Sequence, residues 1–158
     1  MDLTGNDVAG VVDLFGALTR AELGDALAEL AFKRGADHDP DAFDGDISRA
    51  ERSYHLVALA ANETAAEEPL LVVGPSAFPE LPEGTTDLPH ILDVDDRDID
   101  RETVANAAET RFREDASAAV DAGDTDRIEA LLDVSYDLEA WGGVDLSDSR
   151  AFLDDALQ

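Results

Sequence analysis

The most constraining feature of the sequence is a pair of helix-start motifs near the N-terminus, each followed by an apolar stripe at helical spacing. Thr4 is followed three residues later by Asp7, and Thr19 by Glu22, which is the spacing of a capping box. The first side chain of such a box accepts from a backbone amide while the other reaches back to the cap amide. The stripes consist of Val8, Val11, Val12 and Phe15, and of Leu23, Ala26, Leu27, Leu30 and Ala31. The sequence therefore predicts two amphipathic helices, each ended by a glycine.

A third helix is predicted just after them. Asp39-Pro40 is typical of a helix start, because proline is tolerated at the first helical position. Phe43, Ile47 and Ala50 then follow three to four residues apart and give this helix a buried stripe. With the first two helices, it would form a three-helix unit.

The period of the apolar residues changes after this third helix. Residues 54–59 and 70–73 are short runs rich in aliphatic, β-branched or aromatic side chains, and a polar loop separates them. Two such short strands are unstable alone and need a helix face to lie on. Three helices followed by a β-hairpin is the winged-helix arrangement, which we predict for residues 1–78. The alternative is that residues 54–60 continue the third helix, which would make the protein all helical.

Proline residues punctuate the segment that follows, and helical patterns then return. We predict a strap over residues 79–97 that packs Phe78, Leu81, Leu88, Ile91 and Leu92 over the core, and a C-terminal helical unit over residues 98–158. Its helices are expected to begin after Asp98 or Asp100, near Asp124 or Thr125, and at a capping Ser147. The predicted fold class is therefore α+β and mainly helical.

The charge of the chain is extreme, with 11 Lys+Arg against 38 Asp+Glu and a net charge of −27. Such a chain repels itself in dilute buffer, and high salt screens that repulsion. The composition is 44% hydrophobic with clear periodicity, which excludes a disordered acidic protein for most of the length. No secretory signal is visible, and no apolar run approaches the ~18 residues that span a bilayer. We expect a cytoplasmic protein with no membrane partner.

The sequence offers no pattern that is typical of an enzyme. It has no cysteine, which excludes disulfides, thiol catalysis and Cys-based zinc sites. The aspartate-rich runs at 37–46 and 93–100 lack the glycine and glutamate that a calcium loop needs at its sixth and twelfth positions. The histidines are scattered, and nucleophile elbows and phosphate-binding loops are absent. We therefore expect no catalytic residue, no metal and no cofactor; the enzyme alternative is a pocket under the strap, near His90 and Tyr54.

Recognition is the remaining class of function, and the third helix carries its candidate residues. Arg49 and Arg52 flank the buried stripe, with Ser48 just before them and His55 just beyond. Arginine is the usual reader of guanine edges in the major groove, so these residues are candidate DNA contacts.

The charge of the surrounding sequence argues against DNA. Binding to phosphates depends on basic surfaces, and the predicted wing has no cation. Its acidic residues are Glu63, Glu67 and Glu68. In multimolar salt the counterion term is nearly exhausted for every protein, so acidity counts less there. The leading interpretation is a non-catalytic interaction or regulatory module that binds a protein partner or a second copy at high salt; the alternative is a winged-helix DNA-binding transcriptional regulator.

Two segments carry a family resemblance. Residues 14–23, Leu-Phe-Gly-Ala-Leu-Thr-Arg-Ala-Glu-Leu, and residues 73–82, Val-Gly-Pro-Ser-Ala-Phe-Pro-Glu-Leu-Pro, resemble an uncharacterised family of small acidic proteins from halophilic archaea. The resemblance runs over the whole length and implies no assigned activity or site residues. The first segment is also similar to the opening helices of archaeal winged-helix regulators.

Overall fold

The computed structural model describes residues 3–61, 67–82, 85, 88–92, 94 and 97–158, apart from the side chains of His90 and Ile91. The chain forms two compact units, Met1–Asp100 and Arg101–Gln158. Helices dominate both the N-terminal and the C-terminal half, and one antiparallel strand pair lies in the first unit. The predicted α+β, mainly helical fold class is confirmed.

The first two helices begin at the predicted capping boxes. Helix α1 spans Gly5–Phe15 and α2 spans Arg20–Lys33. Thr19 Oγ1 accepts from the backbone amide of Glu22 at 3.1 Å, and Glu22 Oε1 accepts from the amide of Thr19 at 2.8 Å. The box at the start of α1 is made in the same way. Every residue of the two predicted apolar stripes is buried.

The third helix begins as a tighter turn than predicted. Pro40–Phe43 is a 3₁₀ turn, and α3 proper spans Asp44–Arg52. Asp39 stands at the cap position but its side chain makes no capping hydrogen bond. The predicted stripe of Phe43, Ile47 and Ala50 is buried.

Residues 54–60 do not continue α3, so the all-helical alternative is wrong. Tyr54 has a φ of +63°, a left-handed conformation that an α-helix cannot contain, and its side chain is fully buried. Strand β1 therefore spans Leu56–Leu59, two residues later than predicted, and pairs antiparallel with β2, Leu70–Val73.

A residue in the corner between α1 and α2 pairs with strand β2 through its backbone. The amide of Leu18 donates to the carbonyl of Leu71 at 3.1 Å, and the amide of Leu71 donates to the carbonyl of Leu18 at 2.7 Å. This isolated antiparallel bridge attaches the hairpin to the helices through β2. The order in the sheet is thus β1, β2 and then the residue between α1 and α2.

The strap crosses α1. The amide of Phe78 donates to Asn6 Oδ1 at 2.9 Å, and the amide of Glu80 donates to the Asn6 carbonyl at 3.1 Å. The approach is close enough that a Cβ added at Gly10 would lie 1.7 Å from the Glu80 carbonyl oxygen. Gly10 therefore lets the strap backbone lie directly on the helix.

The strap covers the core with only part of its predicted apolar residues. Leu88, in the one-turn helix α4 at Leu88–Ile91, is buried, and Leu92 packs against the core. Phe78 and Leu81 are instead 78% and 55% exposed, so the prediction is wrong for them. They lie in the stretch that hydrogen-bonds to α1 through its backbone, which leaves their side chains outside the core. The side chain of Ile91 lies outside the described part of the chain.

Arg97 fixes the end of the first unit to the α1–α2 corner. Its Nη1 donates to Glu22 Oε1 at 2.6 Å and to the Ala17 carbonyl at 3.1 Å, and its Nη2 donates to Glu22 Oε2 at 3.1 Å. The Arg97 amide also donates to the carbonyl of Phe15 at 2.8 Å. Gly16 has a φ of +83°, and a Cβ there would lie 1.8 Å from the Arg97 carbonyl oxygen. Gly16, which ends α1, therefore also allows the backbone at Arg97 to pack closely against it.

The second unit consists of three helices, α5 at Arg101–Ala122, α6 at Thr125–Gly142 and α7 at Ser147–Ala156. Asp124 caps α6 by accepting from the amide of Arg127 at 3.1 Å. The prediction that Ser147 caps α7 is wrong, because Leu146 holds the cap position and Ser147 is already helical. Glu139 Oε2 accepts from the Leu146 amide at 2.7 Å, so a side chain of α6 supports the start of α7.

Candidate functional site

The N-terminus of α2 and the outer side of α3 meet around Arg20. Its Nη2 donates to the Asp44 carbonyl at 2.9 Å and to Ser48 Oγ at 2.7 Å, while its Nη1 lies 3.1 Å from Glu51 Oε1. Ser48, a predicted DNA contact, is therefore an internal partner of Arg20. Arg20 was not among the predicted site residues, because nothing in the local sequence around it shows that α3 folds back over the start of α2.

The predicted base-reading arginines lie on the exposed side of α3. Arg49 is 72% exposed and forms an ion pair with Asp46, one turn earlier. Arg52 is exposed in the last turn. Residues 40–52 carry four carboxylates against these two guanidinium groups. The solvent side of this helix is net negative, and Arg49 is paired within the helix.

His55 belongs to the turn that follows α3. Its Nδ1 lies 2.6 Å from Ser53 Oγ, and its side chain is half-buried. Ser53 Oγ also contacts the Arg49 carbonyl at 2.9 Å. These contacts give His55 a structural role in ending the helix.

A cleft of about 700 Å³ opens beside Arg20, between α2, the 3₁₀ turn with α3, and the hairpin. We call it the α2–hairpin cleft. Its apolar lining comes from small or aliphatic residues: Ala21, Gly24, Pro40, Ala58, Pro69 and Leu71. Its polar lining comes from Thr19, Arg20, Asp25, Asp41, Asp44, Glu51 and Glu68. We call the apolar lining residues the floor of the cleft, and the five acidic residues with Arg20 its rim.

The acidic residues of this rim fall into two groups. Asp44 and Glu51 contact Arg20, at 3.7 Å and 3.1 Å between the closest charged atoms. Asp25, Asp41 and Glu68 are exposed and form no ion pair with any residue in the described ranges. The rim therefore holds three carboxylates available to a cationic partner.

The alternative of an enzyme pocket under the strap gains no support here. The α2–hairpin cleft is lined by none of the residues 74–92. Tyr54 is fully buried, and the side chain of His90 lies outside the described part of the chain. Within the described residues, no group of three or more His, Asp or Glu could hold a metal ion. Glu63, Asp93, Asp95 and Asp96 lie outside those residues.

Several large apolar side chains lie at the surface. In the first unit they are Phe32, Phe78 and Leu81, and in the second Tyr136, Phe152 and Leu157. Tyr136 is 61% exposed, and the Arg150 guanidinium lies 4.6 Å from its ring centroid. Arg150 Nη1 also donates to Glu139 Oε1 at 2.6 Å. This hydrogen bond, with the one from Leu146, holds the pKa of the Glu139 carboxyl below its ordinary value.

The family of the chain follows from a match over almost its whole length. The model of a family of unknown function, DUF7109, matches residues 6–158, and the protein belongs to that family. No curated protein and no solved structure matches the chain. Among the helices in the described part of the chain, none combines the length and the apolar composition needed to cross a bilayer.

Proposed function

We propose that the protein is a non-catalytic interaction module of the cytoplasm, adapted to high salt, that binds a protein partner through its N-terminal unit. The proposal is carried by one observation. The cleft beside α3 combines an apolar floor with three exposed carboxylates that have no ion pair among the described residues. Such a surface repels phosphate and suits a cationic, partly apolar protein segment.

The arrangement of the first unit supports a winged-helix-like scaffold for this function. The order is three helices followed by a hairpin, and the backbone between α1 and α2 bridges the second strand. In a winged helix that bridge would be the first of three strands, and α3 would be the recognition helix. We propose that this scaffold presents the α2–hairpin cleft to a partner.

A DNA-binding transcriptional regulator is the second candidate, favoured by the exposure of Arg49 and Arg52 on α3. Against it, Ser48 is held by Arg20 and Arg49 pairs with Asp46. A phosphate approaching this face would meet more carboxylates than guanidinium groups. DNA binding would therefore first have to break the Arg49–Asp46 pair.

The charge of the chain supports the proposed adaptation to high salt. A net charge of −27 destabilises the compact state by self-repulsion, and at ~1 M salt the screening length is only ~3 Å. Several of the few cations form ion pairs that join elements, such as Arg97 with Glu22 and Arg150 with Glu139. These short pairs survive screening that removes the longer-range repulsion.

The test is affinity purification of the tagged protein from the cells that naturally express it, in the salt of those cells, with and without nuclease. We expect a defined protein in amounts comparable to the bait, retained after nuclease treatment. Defined DNA fragments that disappear with the Arg49→Ala, Arg52→Ala double variant would instead support the regulator.

A further inference from the structure

We propose that the α2–hairpin cleft binds a short basic segment of the partner protein, in which an apolar side chain is flanked by arginine or lysine. This inference rests on the proposed function and adds the place and chemistry of the contact. The apolar side chain occupies the floor of the cleft, and the cations meet its rim.

The cleft has room for an aliphatic or aromatic side chain. The volume of about 700 Å³ lies within the range of ~300–1,000 Å³ that binding sites occupy. Ala58, on β1, is exposed into the cleft, and its small side chain leaves the floor open. At Gly24 a Cβ would lie 3.2 Å from the Pro40 carbonyl oxygen, so glycine lets α2 and the 3₁₀ turn close the far wall. An inserted apolar side chain would therefore contact three elements at once.

The rim already shows how it satisfies a guanidinium group. Arg20 is held there by a carbonyl, a hydroxyl and a carboxylate, at distances of 2.7 to 3.1 Å. Asp25, Asp41 and Glu68 surround the same opening without an ion pair among the described residues. Cations supplied by the partner would offset part of the negative charge that Arg20 leaves on the rim.

At high salt the apolar floor and the charged rim contribute differently to binding of the peptide segment. At ~1 M salt charges more than ~3 Å apart are largely screened, so only contact ion pairs contribute. Burial of apolar surface does not depend on long-range charge, and it supplies the affinity. The contact pairs select basic segments over acidic ones, because a carboxylate brought to this rim would be repelled. A purely polycationic ligand lacks the apolar side chain and binds weakly.

The experiment selects phage-displayed random nonapeptides on the immobilised full chain in about 2 M KCl and measures the selected peptides by fluorescence anisotropy. We expect enriched peptides to place an apolar residue between arginines or lysines. Spermidine, a polycation without an apolar side chain, is not expected to displace them. Enrichment of neutral or acidic peptides, no enrichment, or full displacement by spermidine would each overturn the proposal.

Matched variants locate the binding. Ala58→Trp fills the floor and should weaken the selected peptide about tenfold or more, whereas Ala151→Trp, at an exposed position of α7, should leave it unchanged. Asp25→Asn and Glu68→Gln should each weaken binding of the peptide about threefold. Asp13→Asn, the same charge change at an exposed position of α1, should not. Circular dichroism of each variant verifies folding. Equal binding by wild type and Ala58→Trp would refute the site.

Capture of the native partner by these variants distinguishes the proposed interaction function from the proposed docking site. Loss of that partner on Ala58→Trp, with retention on Ala151→Trp, supports both the interaction function and the cleft. Equal capture by wild type and Ala58→Trp would overturn the cleft as the docking site while leaving the interaction function standing.

Discussion

Replacing Arg97 by alanine should destabilise the N-terminal unit by about 1–2 kcal/mol. The change removes two hydrogen bonds to the Glu22 carboxylate and one to the Ala17 carbonyl. Hydrogen bonds to charged groups contribute about 1.5–3 kcal/mol each when buried, and less when solvent screens them. The two side chains here are 30% and 25% exposed, which places the pair between the buried and the surface case.

The assay is native-state hydrogen exchange of the slowest amides of α2, in molar KCl. It reports opening of the first unit separately from α5–α7. We expect the opening equilibrium to rise by a factor of about 5 to 30 in Arg97→Ala. Glu22→Gln is the partner variant in a double-mutant cycle, because glutamine preserves the capping box while removing the charge.

Arg113→Ala is the matched control, since Arg113 pairs with Glu109 one turn away on α5 with 50% of its side chain exposed. Such a surface pair contributes about 0.3–0.5 kcal/mol, so this variant should leave the α2 amides unchanged. Additive effects of Arg97→Ala and Glu22→Gln would refute the coupling that the geometry implies.

The same ion pair should make stability depend on pH. The pKa of the Glu22 carboxyl is below its ordinary value of 4.5, first because Arg97 donates to it and then because the Thr19 amide does, while partial burial opposes the shift. A carboxyl whose pKa is lower in the folded than in the unfolded protein stabilises the fold. This stabilisation is complete above the pKa of the unfolded state and is lost as the pH falls through the pKa of the folded state. The difference between wild type and Arg97→Ala should therefore shrink below pH 4.5. A constant difference there would contradict this assignment.

Three further predictions concern packing, a second carboxylate and salt. Gly10→Ala should lower the free energy of unfolding by about 1–3 kcal/mol, because its Cβ would meet the Glu80 carbonyl. Gly45→Ala should instead raise it by up to ~1 kcal/mol, because the nearest neighbour of that Cβ is the flexible end of Arg49. Thermal unfolding of both variants compares these effects. Arg150→Gln should raise the pKa of Glu139 toward its ordinary value, measured by NMR titration, and an unchanged midpoint would exclude Arg150 as the main cause. The unfolding midpoint of the wild type should fall as KCl drops below about 1 M, and an equal midpoint in low and molar salt would exclude charge screening as a source of stability.

Local sequence chemistry was enough to predict most helix and strand positions. The two capping boxes predicted the starts of α1 and α2, and the run at residues 70–73 matches β2. These features depend on neighbours within four residues, so the sequence contains what decides them. The start of β1 was missed because the left-handed turn at Tyr54 falls on a bulky residue, where sequence gives no reason to expect it.

The candidate site depended on contacts between distant residues, which the sequence does not show. Ser48 was predicted to face DNA, yet Arg20, 28 positions earlier, donates to it. The cleft combines residues from Thr19 to Leu71, drawn from two helices, a turn and both strands. Phe78 and Leu81 looked like core residues by hydropathy, but backbone hydrogen bonds to Asn6 fix the strap with those side chains outward.

The most direct measurement quantifies the protein and DNA recovered with three versions of the bait from its native cells: wild type, the Arg49→Ala, Arg52→Ala double variant, and Ala58→Trp. All three are purified in native salt; one half of each sample is treated with nuclease before elution to measure the protein, and the other half is left untreated to measure the DNA. We expect a stoichiometric protein partner with wild type and with the arginine double variant. Absence of a protein partner from every version would contradict an interaction module. Bound DNA that depends on the two arginines would also contradict it and would identify a DNA-binding regulator.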